Sequence, residues 1–120
     1  MAAEYLLAGG NERVILCERG IRTFSAHSRN TLDLNVVPVA RRLTHLPILV
    51  DPSHGIGRRE HVRSMARAAM AAGAQGLLVE THTHPDTSYT DADQTIDIAT
   101  LAGIAADMAA IAALPPVTTG

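Results

Sequence analysis

Tryptophan is absent, phenylalanine occurs once and tyrosine twice, so aromatic residues make up 2% of the 120 residues. Such a chain has few large rings with which to fill a core. Apolar residues still amount to 47%, but many are alanine, so the core is expected to be thin and to favour an oligomer. The single cysteine, Cys17, excludes an internal disulfide and suits a reducing cytoplasm. No run of about 18 apolar residues could span a bilayer, and the first residues lack the basic start and apolar core of a signal peptide. An excess of one charge is lacking too. With 10 basic and 12 acidic residues interspersed, the net charge of -2 provides no long-range field for nucleic acid or an anionic membrane. Arg58, Arg59, Arg63 and Arg67 form the densest basic cluster, and their spacing reads as a solvated helical face rather than a polyanion site. The expectation is a soluble cytoplasmic protein with neither nucleic acid nor membrane as partner.

At this length the chain is one domain, yet short of the roughly 250 residues of a closed α/β barrel. Helix formers over 2–8 stop at Gly9-Gly10, which predicts a short helix. Residues 13–17 form an apolar run suited to a strand covered on both faces. The polar stretch 23–33, centred on Ser28, Arg29 and Asn30, predicts a loop. Pro38 can open a helix that continues to Leu43, and 46–50 make a second strand. Beyond Gly57, Val62, Met65, Ala66, Ala69 and Met70 recur at helical steps until Gly73. A third strand over 76–79 ends at Glu80, and a last helix over 91–114 would place Ile104, Met108, Ile111 and Ala112 on one stripe. The reading is an α/β domain over 1–114 with a flexible tail at 115–120. Three strand–helix units after a first helix imply parallel strands, with all helices on one side if the strand order is sequential.

Each strand ends in residues able to bind something. Glu18, Arg19 and Arg22 follow the first, Asp51 and His54 the second, and Glu80, His82 and His84 the third. In a sequential parallel sheet these ends share one rim, where α/β proteins place reacting groups. The stretch from Leu49 to Gly57 reads as a buried strand breaking into a turn that presents His54. His54, Glu80, His82 and His84, with Asp91 or Asp93, make a nitrogen and oxygen set suited to divalent Mn, Fe, Co or Zn. Such an ion would act as a Lewis acid on a carbonyl or phosphoryl oxygen. Plainer readings stand beside this one. Glu18 to Arg22 serve equally as solvated loop residues or as an anion grip, and Asp91 with Gln94 reads equally as a helix N-cap pair.

Val14-Ile15-Leu16-Cys17-Glu18-Arg19-Gly20-Ile21-Arg22-Thr23-Phe24, Arg29-Asn30-Thr31-Leu32-Asp33, His45-Leu46-Pro47-Ile48-Leu49-Val50-Asp51-Pro52-Ser53-His54 and Gly57-Arg58-Arg59 closely resemble the last third of 3-deoxy-D-arabino-heptulosonate 7-phosphate (DAHP) synthase. The similarity is to the short microbial class I form, type Iβ, a relative of the 3-deoxy-octulosonate 8-phosphate synthases. The resemblance implies a (β/α)₈ barrel that condenses phosphoenolpyruvate with erythrose 4-phosphate on a divalent metal, at the entry to the shikimate pathway. Its ligands would be a cysteine early in the barrel, the histidine of Asp-Pro-Ser-His, a glutamate ending the eighth strand and an aspartate shortly after. By that resemblance His54, Glu80 and Asp91 fill the last three places, Arg19 grips phosphoenolpyruvate, and Asp51 contacts the sugar phosphate or a metal-bound water. Glu18, Arg22 and Arg58 join Arg19 on the substrate side.

The same resemblance implies that this chain holds only the sixth to eighth βα units. The early cysteine and the other phosphoenolpyruvate anchors then have no counterpart, and Cys17 aligns inside the sixth strand. The family's Glu-Val-His-Pro-Asp-Pro becomes Glu80-Thr81-His82-Thr83-His84-Pro85, and its Ser-Asp-Gly becomes Thr90-Asp91-Ala92. His82 or His84 is therefore expected to replace the missing cysteine. Three units cannot close a barrel, so an open inner face and two bare sheet edges predict self-association. The expected function is that of a metal-dependent lyase or aldolase-type enzyme acting on a small anionic oxoacid, phosphate or shikimate-type acid through enolate chemistry, short of full DAHP synthesis alone. Two alternatives remain: a non-catalytic metal- or metabolite-binding paralogue or partner of a full-length synthase, and a fragment of a true synthase. Met1 and the Thr118-Thr119-Gly120 end read as those of an independent chain.

Overall fold

The computed structural model describes residues 2–115. Three short parallel strands, β1 (Leu16–Glu18), β2 (Ile48–Val50) and β3 (Gly76–Leu77), lie side by side in chain order. Leu16 stands opposite Ile48, and Val50 opposite Leu77. Helix α1 (Ala2–Ala8) precedes the sheet, α2 (Val36–Leu43) joins β1 to β2, α3 (Pro52–Ile56) and α4 (Arg59–Ala71) join β2 to β3, and α5 (Ile98–Ala112) follows. The sequential order and parallel sense are those expected of consecutive strand–helix units.

Strand alternation sends Ile48 and Val50 to one face, where Val37 of α2, Ala69 of α4 and Ala74 bury them. Ala66 and Val62, one and two turns back along α4 from Ala69, pack with Ile96 and with Ile104 of α5, and Leu77 touches both clusters. Alanine at 66 and 69 is buried in these clusters, where its small side chain lets α4 settle close to its neighbours. Arg63 and Arg67 of α4 both grip Asp107 of α5, at 2.7 Å through their Nε atoms, while Arg59 pairs with Asp86 at 2.8 Å. Three of the four clustered arginines are thus engaged in holding loops and helices.

The other face of the sheet is open. Ile15 is 58% exposed and Leu78 50% exposed, and Cys17 is exposed as well. The expectation that the first strand is covered on both faces is therefore corrected: its apolar alternation is present, but this chain supplies helices for one face only. Leu49 finds partial cover by lying over Gly76, where a Cβ would approach it to 2.7 Å.

Several boundaries move for local reasons. The strands are shorter than the apolar runs that announced them. Pro38 sits inside the first turn of α2 rather than at its start, a turn whose N–H groups lack an i−4 partner in any case. The last helix begins at Ile98, because Asp97 accepts the Thr100 N–H as its cap and Ile96 is engaged in sheet-like pairing. Ala112, placed on the buried stripe by its spacing, is exposed at the helix end. Of the expected tail at 115–120, all but Pro115 lies outside the described residues.

Candidate metal centre

The site is built where β2 ends. Asp51 Oδ1 accepts the backbone N–H of His54 at 2.9 Å, Pro52 occupies the first turn of α3, and Gly57 closes that helix with φ +71°. The stretch expected to be a simple turn is thus a capped five-residue helix, and its curvature folds His54 back over Asp51. Asp51 Oδ2 then accepts from His54 Nδ1 at 2.7 Å and from Arg19 Nε at 3.1 Å. A carboxylate can only accept, so Nδ1 carries a proton and Nε2 is the ring atom left to face the rim.

Glu80 and Asp91 reach the same point by a different route. Beyond β3 the backbone pairs with residue 96: Ile96 N–H donates to the Glu80 carbonyl and His82 N–H to the Ile96 carbonyl, both at 3.0 Å. That pairing brings 91–95 back to the rim. Asp91 turns with φ +49°, a region aspartate tolerates, and its carbonyl accepts the N–H groups of Gln94 and Thr95. Fully buried Ser53 accepts the Glu80 N–H through Oγ at 3.0 Å.

His54 Nε2 consequently lies 3.1 Å from Glu80 Oε1 and 4.0 Å from Asp91 Oδ2. Among the described residues these three form the one group of His, Cys, Asp or Glu side chains whose ligand atoms all fall within 4.8 Å of one another. The donor set fits a divalent cation. With Nδ1 committed to Asp51, Nε2 and two carboxylate oxygens face one another, an arrangement satisfied either by a proton on Nε2 or by a cation held among the three. One imidazole and two carboxylates without thiolate suit Mn, Fe, Co or Zn.

The remaining expected site residues fall into three places. Neither His82 nor His84 joins this group: His82 Nδ1 accepts the His84 N–H at 3.0 Å, and His84 Nδ1 lies 3.2 Å from Thr83 Oγ1, so both rings serve their own exposed loop. Asp51 is 1% exposed and fully engaged, so it orients His54 and Arg19 and presents no free oxygen to a substrate. Glu18, expected on the substrate side, spends Oε1 on the N–H groups of Gly20 and Asp33, at 2.9 and 3.2 Å. Arg19 touches Asp51 through Nε alone and is half exposed, which leaves its outer nitrogens available. Arg22 and Arg58 are exposed and their guanidinium groups have no partner among the described residues. Arg58 lines a cleft of about 650 Å³ with Arg29, Tyr89, Asp91 and Gln94. Cys17 lies outside the group; although the residue is exposed overall, desolvation at the sulfur, reinforced by the Asp51 charge, pushes its thiol above its ordinary value.

Four supporting residues were not marked by the sequence. Ser53 is one, and Asn30 is another, holding the His54 carbonyl at 2.9 Å through Nδ2. Arg29 reaches Asp91, and Gln94 reaches Glu80. Arg29 and Asn30 stood in a motif without an assigned role, and Gln94 was legible only as a capping partner.

Comparison with known proteins agrees with this architecture. A profile described as the DAHP synthetase I family matches residues 1–113. The phospho-2-dehydro-3-deoxyheptonate aldolase of Thermotoga maritima is 53% identical over 97 residues, covering 81% of this chain and 29% of the relative. A 2-dehydro-3-deoxyphosphooctonate aldolase of Nitratidesulfovibrio vulgaris is 35% identical over 101 residues, covering 75% of this chain and 36% of the relative. The crystal structure of the Thermotoga DAHP synthase superposes with a TM-score of 0.89 at 48% identity, covering 92% of this chain and 33% of that one. The chain thus spans about a third of the length of these relatives, and its open three-stranded sheet is a partial barrel. On sequence and on fold, the chain belongs to the DAHP synthetase I family.

Proposed function

We propose that this chain provides the metal- and anion-binding part of an aldolase-type enzyme acting on a small oxoacid, phosphorylated or of shikimate type, in aromatic or shikimate-related biosynthesis in the cytoplasm. The observation that carries this reading is the convergence of His54 Nε2, Glu80 Oε1 and Asp91 Oδ2 one carboxylate away from Arg19. Both similar enzymes named above are aldolases of phosphorylated 2-oxo acids, which supports the substrate class. The sequence contains no lysine, so no side chain of this chain can form the imine of a Schiff-base aldolase.

A divalent ion, Mn, Fe, Co or Zn, would be held by His54, Glu80 and Asp91, and when bound it supplies Lewis-acid polarisation of an oxo group. The chain's own residues do the rest. Arg19 binds a carboxylate or phosphate with its outer nitrogens, and Arg22 and Arg58 add positive charge on the substrate side. Asp51 fixes the distance between that anion grip and the imidazole, because one of its oxygens holds both. Full DAHP synthesis by this chain alone is outside the proposal, since the chain covers a third of the synthase. Self-association through the face carrying Ile15, Cys17 and Leu78 completes the reading, because these side chains are otherwise left in water.

Equilibrium dialysis against Mn, Co and Zn tests the centre. One ion per chain is expected, with loss of binding in His54→Ala and Glu80→Ala. The loaded chain is then incubated with phosphorylated 2-oxo acids and followed for carbon–carbon cleavage, which Arg19→Ala should abolish while retaining the ion. Binding without turnover across such a panel would replace the enzyme by a non-catalytic metal-binding role, and absence of binding would sink the proposal. A monomer at micromolar concentration by light scattering would refute self-association.

A further inference from the structure

Each of the three ligand side chains at the centre is gripped on its outer atom. His54 Nδ1 is held by Asp51, while both carboxylates are held by residues with no place in the ligand set. Glu80 turns Oε1 toward His54 Nε2 and gives Oε2 to Gln94 Nε2 at 3.1 Å. Asp91 turns Oδ2 toward His54 and gives Oδ1 to Arg29 Nη1 at 3.0 Å. The same Arg29 nitrogen donates to Gln94 Oε1 at 3.2 Å. The orientation of the Gln94 amide follows from chemistry: a guanidinium only donates, so the amide oxygen faces Arg29, and a carboxylate only accepts, so the amide nitrogen faces Glu80.

We propose that Arg29 and Gln94 are positioning residues that commit one oxygen of each carboxylate, so that Glu80 and Asp91 present a single oxygen to the ion and coordination sites stay open for an oxoacid substrate. The inference rests on the metal-centre reading above. Without the clamps, a carboxylate is free to bind with both oxygens, as flexible carboxylate ligands do, and would fill the positions a Lewis-acid centre needs for its substrate.

The rest of the fold is arranged to hold the clamp. Gln94 is 1% exposed, so its amide has no water to turn to and must keep these two partners. Arg29 is carried by the segment between β1 and α2, which is pinned by reciprocal Ile21 and Thr31 backbone bonds of 2.9 Å. The arginine passes directly over Gly57, where a Cβ would come within 2.7 Å of its own Cβ. Glycine at 57 therefore both ends α3 and opens the path by which Arg29 reaches across to Asp91. An exposed Arg–Asp pair with no further role is worth little, and the discriminating measurement is the coordination of the ion rather than stability.

The test uses the whole chain and Co(II), whose visible absorption weakens as its coordination number rises. Gln94→Leu and Arg29→Met should each lower Co(II) affinity, by about 10–100-fold for the buried residue as is usual for outer-shell partners, and both should weaken the visible bands. Arg29→Lys should restore part of the affinity and intensity. Because Gln94→Leu alters a buried position, Arg29→Met at a half-exposed one provides an independent arm, and circular dichroism verifies the fold of each. Wild-type spectra and affinity in both variants would overturn the clamp while leaving the metal centre intact. No Co(II) binding by the wild type, or binding unchanged in His54→Ala, would instead remove the centre and the clamp together.

Discussion

Replacing Asp51 by asparagine changes one atom in the support of His54 and should close the metal centre without dismantling the fold. Asp51 accepts three hydrogen bonds: from His54 N–H on Oδ1, and from His54 Nδ1 and Arg19 Nε on Oδ2. In Asp51→Asn the amide oxygen can keep the helix cap only by placing NH₂ where Oδ2 stood, against two donors. The imidazole can relieve its half of that conflict by moving its proton to Nε2, so that Nδ1 accepts from the new amide. Nε2–H then points at Glu80 Oε1, 3.1 Å away, and forms a good hydrogen bond in place of a coordination bond. The ring survives in the same place with the wrong tautomer for a ligand. Loss of the carboxylate behind a ligating histidine typically costs about 10–100-fold in metal affinity, or roughly 1.4–2.7 kcal/mol. The metal-free fold should lose less, about 1–2 kcal/mol, because only the bond to Arg19 goes unreplaced. Competition against a chelator measures the affinity, and thermal unfolding with and without chelator separates the two costs. Wild-type affinity in Asp51→Asn, or a loss of stability equal with and without metal, would show that Asp51 is a helix cap and nothing more.

Three other outcomes follow from the same geometry. The His82→Ala/His84→Ala double variant should bind metal as the wild type does by equilibrium dialysis, since both rings face their own loop; a measurable loss of ion would restore one of them to the ligand set. Gly57→Ala should lower stability by about 1–2 kcal/mol, since alanine resists the left-handed region, and should weaken metal binding as well because its Cβ would displace Arg29; denaturant titration and dialysis read the two effects. The clasp of Arg63 and Arg67 holds the Asp107 carboxyl well below the usual carboxylate range. Because the folded value is depressed, the clasp's contribution is fully present above about pH 4 and is lost as pH falls below it. Unfolding midpoints measured across that range should show a shallower acid dependence in Asp107→Asn, and parallel curves would refute the clasp.

What could be read from the sequence depended on whether a residue acts through local pattern or through tertiary return. The parallel order and the gathering of His54, Glu80 and Asp91 at one rim follow from three apolar runs with polar groups at the same end. The helical nature of 52–56 was available locally, in an aspartate cap, a proline in the first turn and a closing glycine, but five residues are too few for a periodic signal. The start of the last helix was ambiguous for another reason. Asp91 with Gln94 and Asp97 with Thr100 are both acceptable caps, and the choice is made by the pairing of Ile96 with the backbone of Glu80 and His82, some 15 residues earlier. Gln94 shows the same limit more strongly. Three residues after Asp91 it reads as a capping partner, yet it is buried because the pairing of Ile96 turns it under Glu80 and against Arg29, 65 positions away.

The partial barrel separates two properties that a closed one would join. The outer-atom partners of the three ligands, Asp51, Gln94 and Arg29, all belong to this chain, as do Ser53 and Asn30 behind them. The geometry of the ligand atoms is therefore fixed by contacts internal to the third of the barrel that is present. The apolar floor beneath the site is different. Ile15, Cys17 and Leu78 lie on the face that a closed barrel would fill, and all three are exposed among the described residues. Ligand placement thus depends on short hydrogen-bonded loops at the rim, whereas stability depends on what covers the floor. On the proposed reading, a metal centre of this construction needs only these three strand–helix units, because the residues that hold its ligands follow the same three strands that carry them.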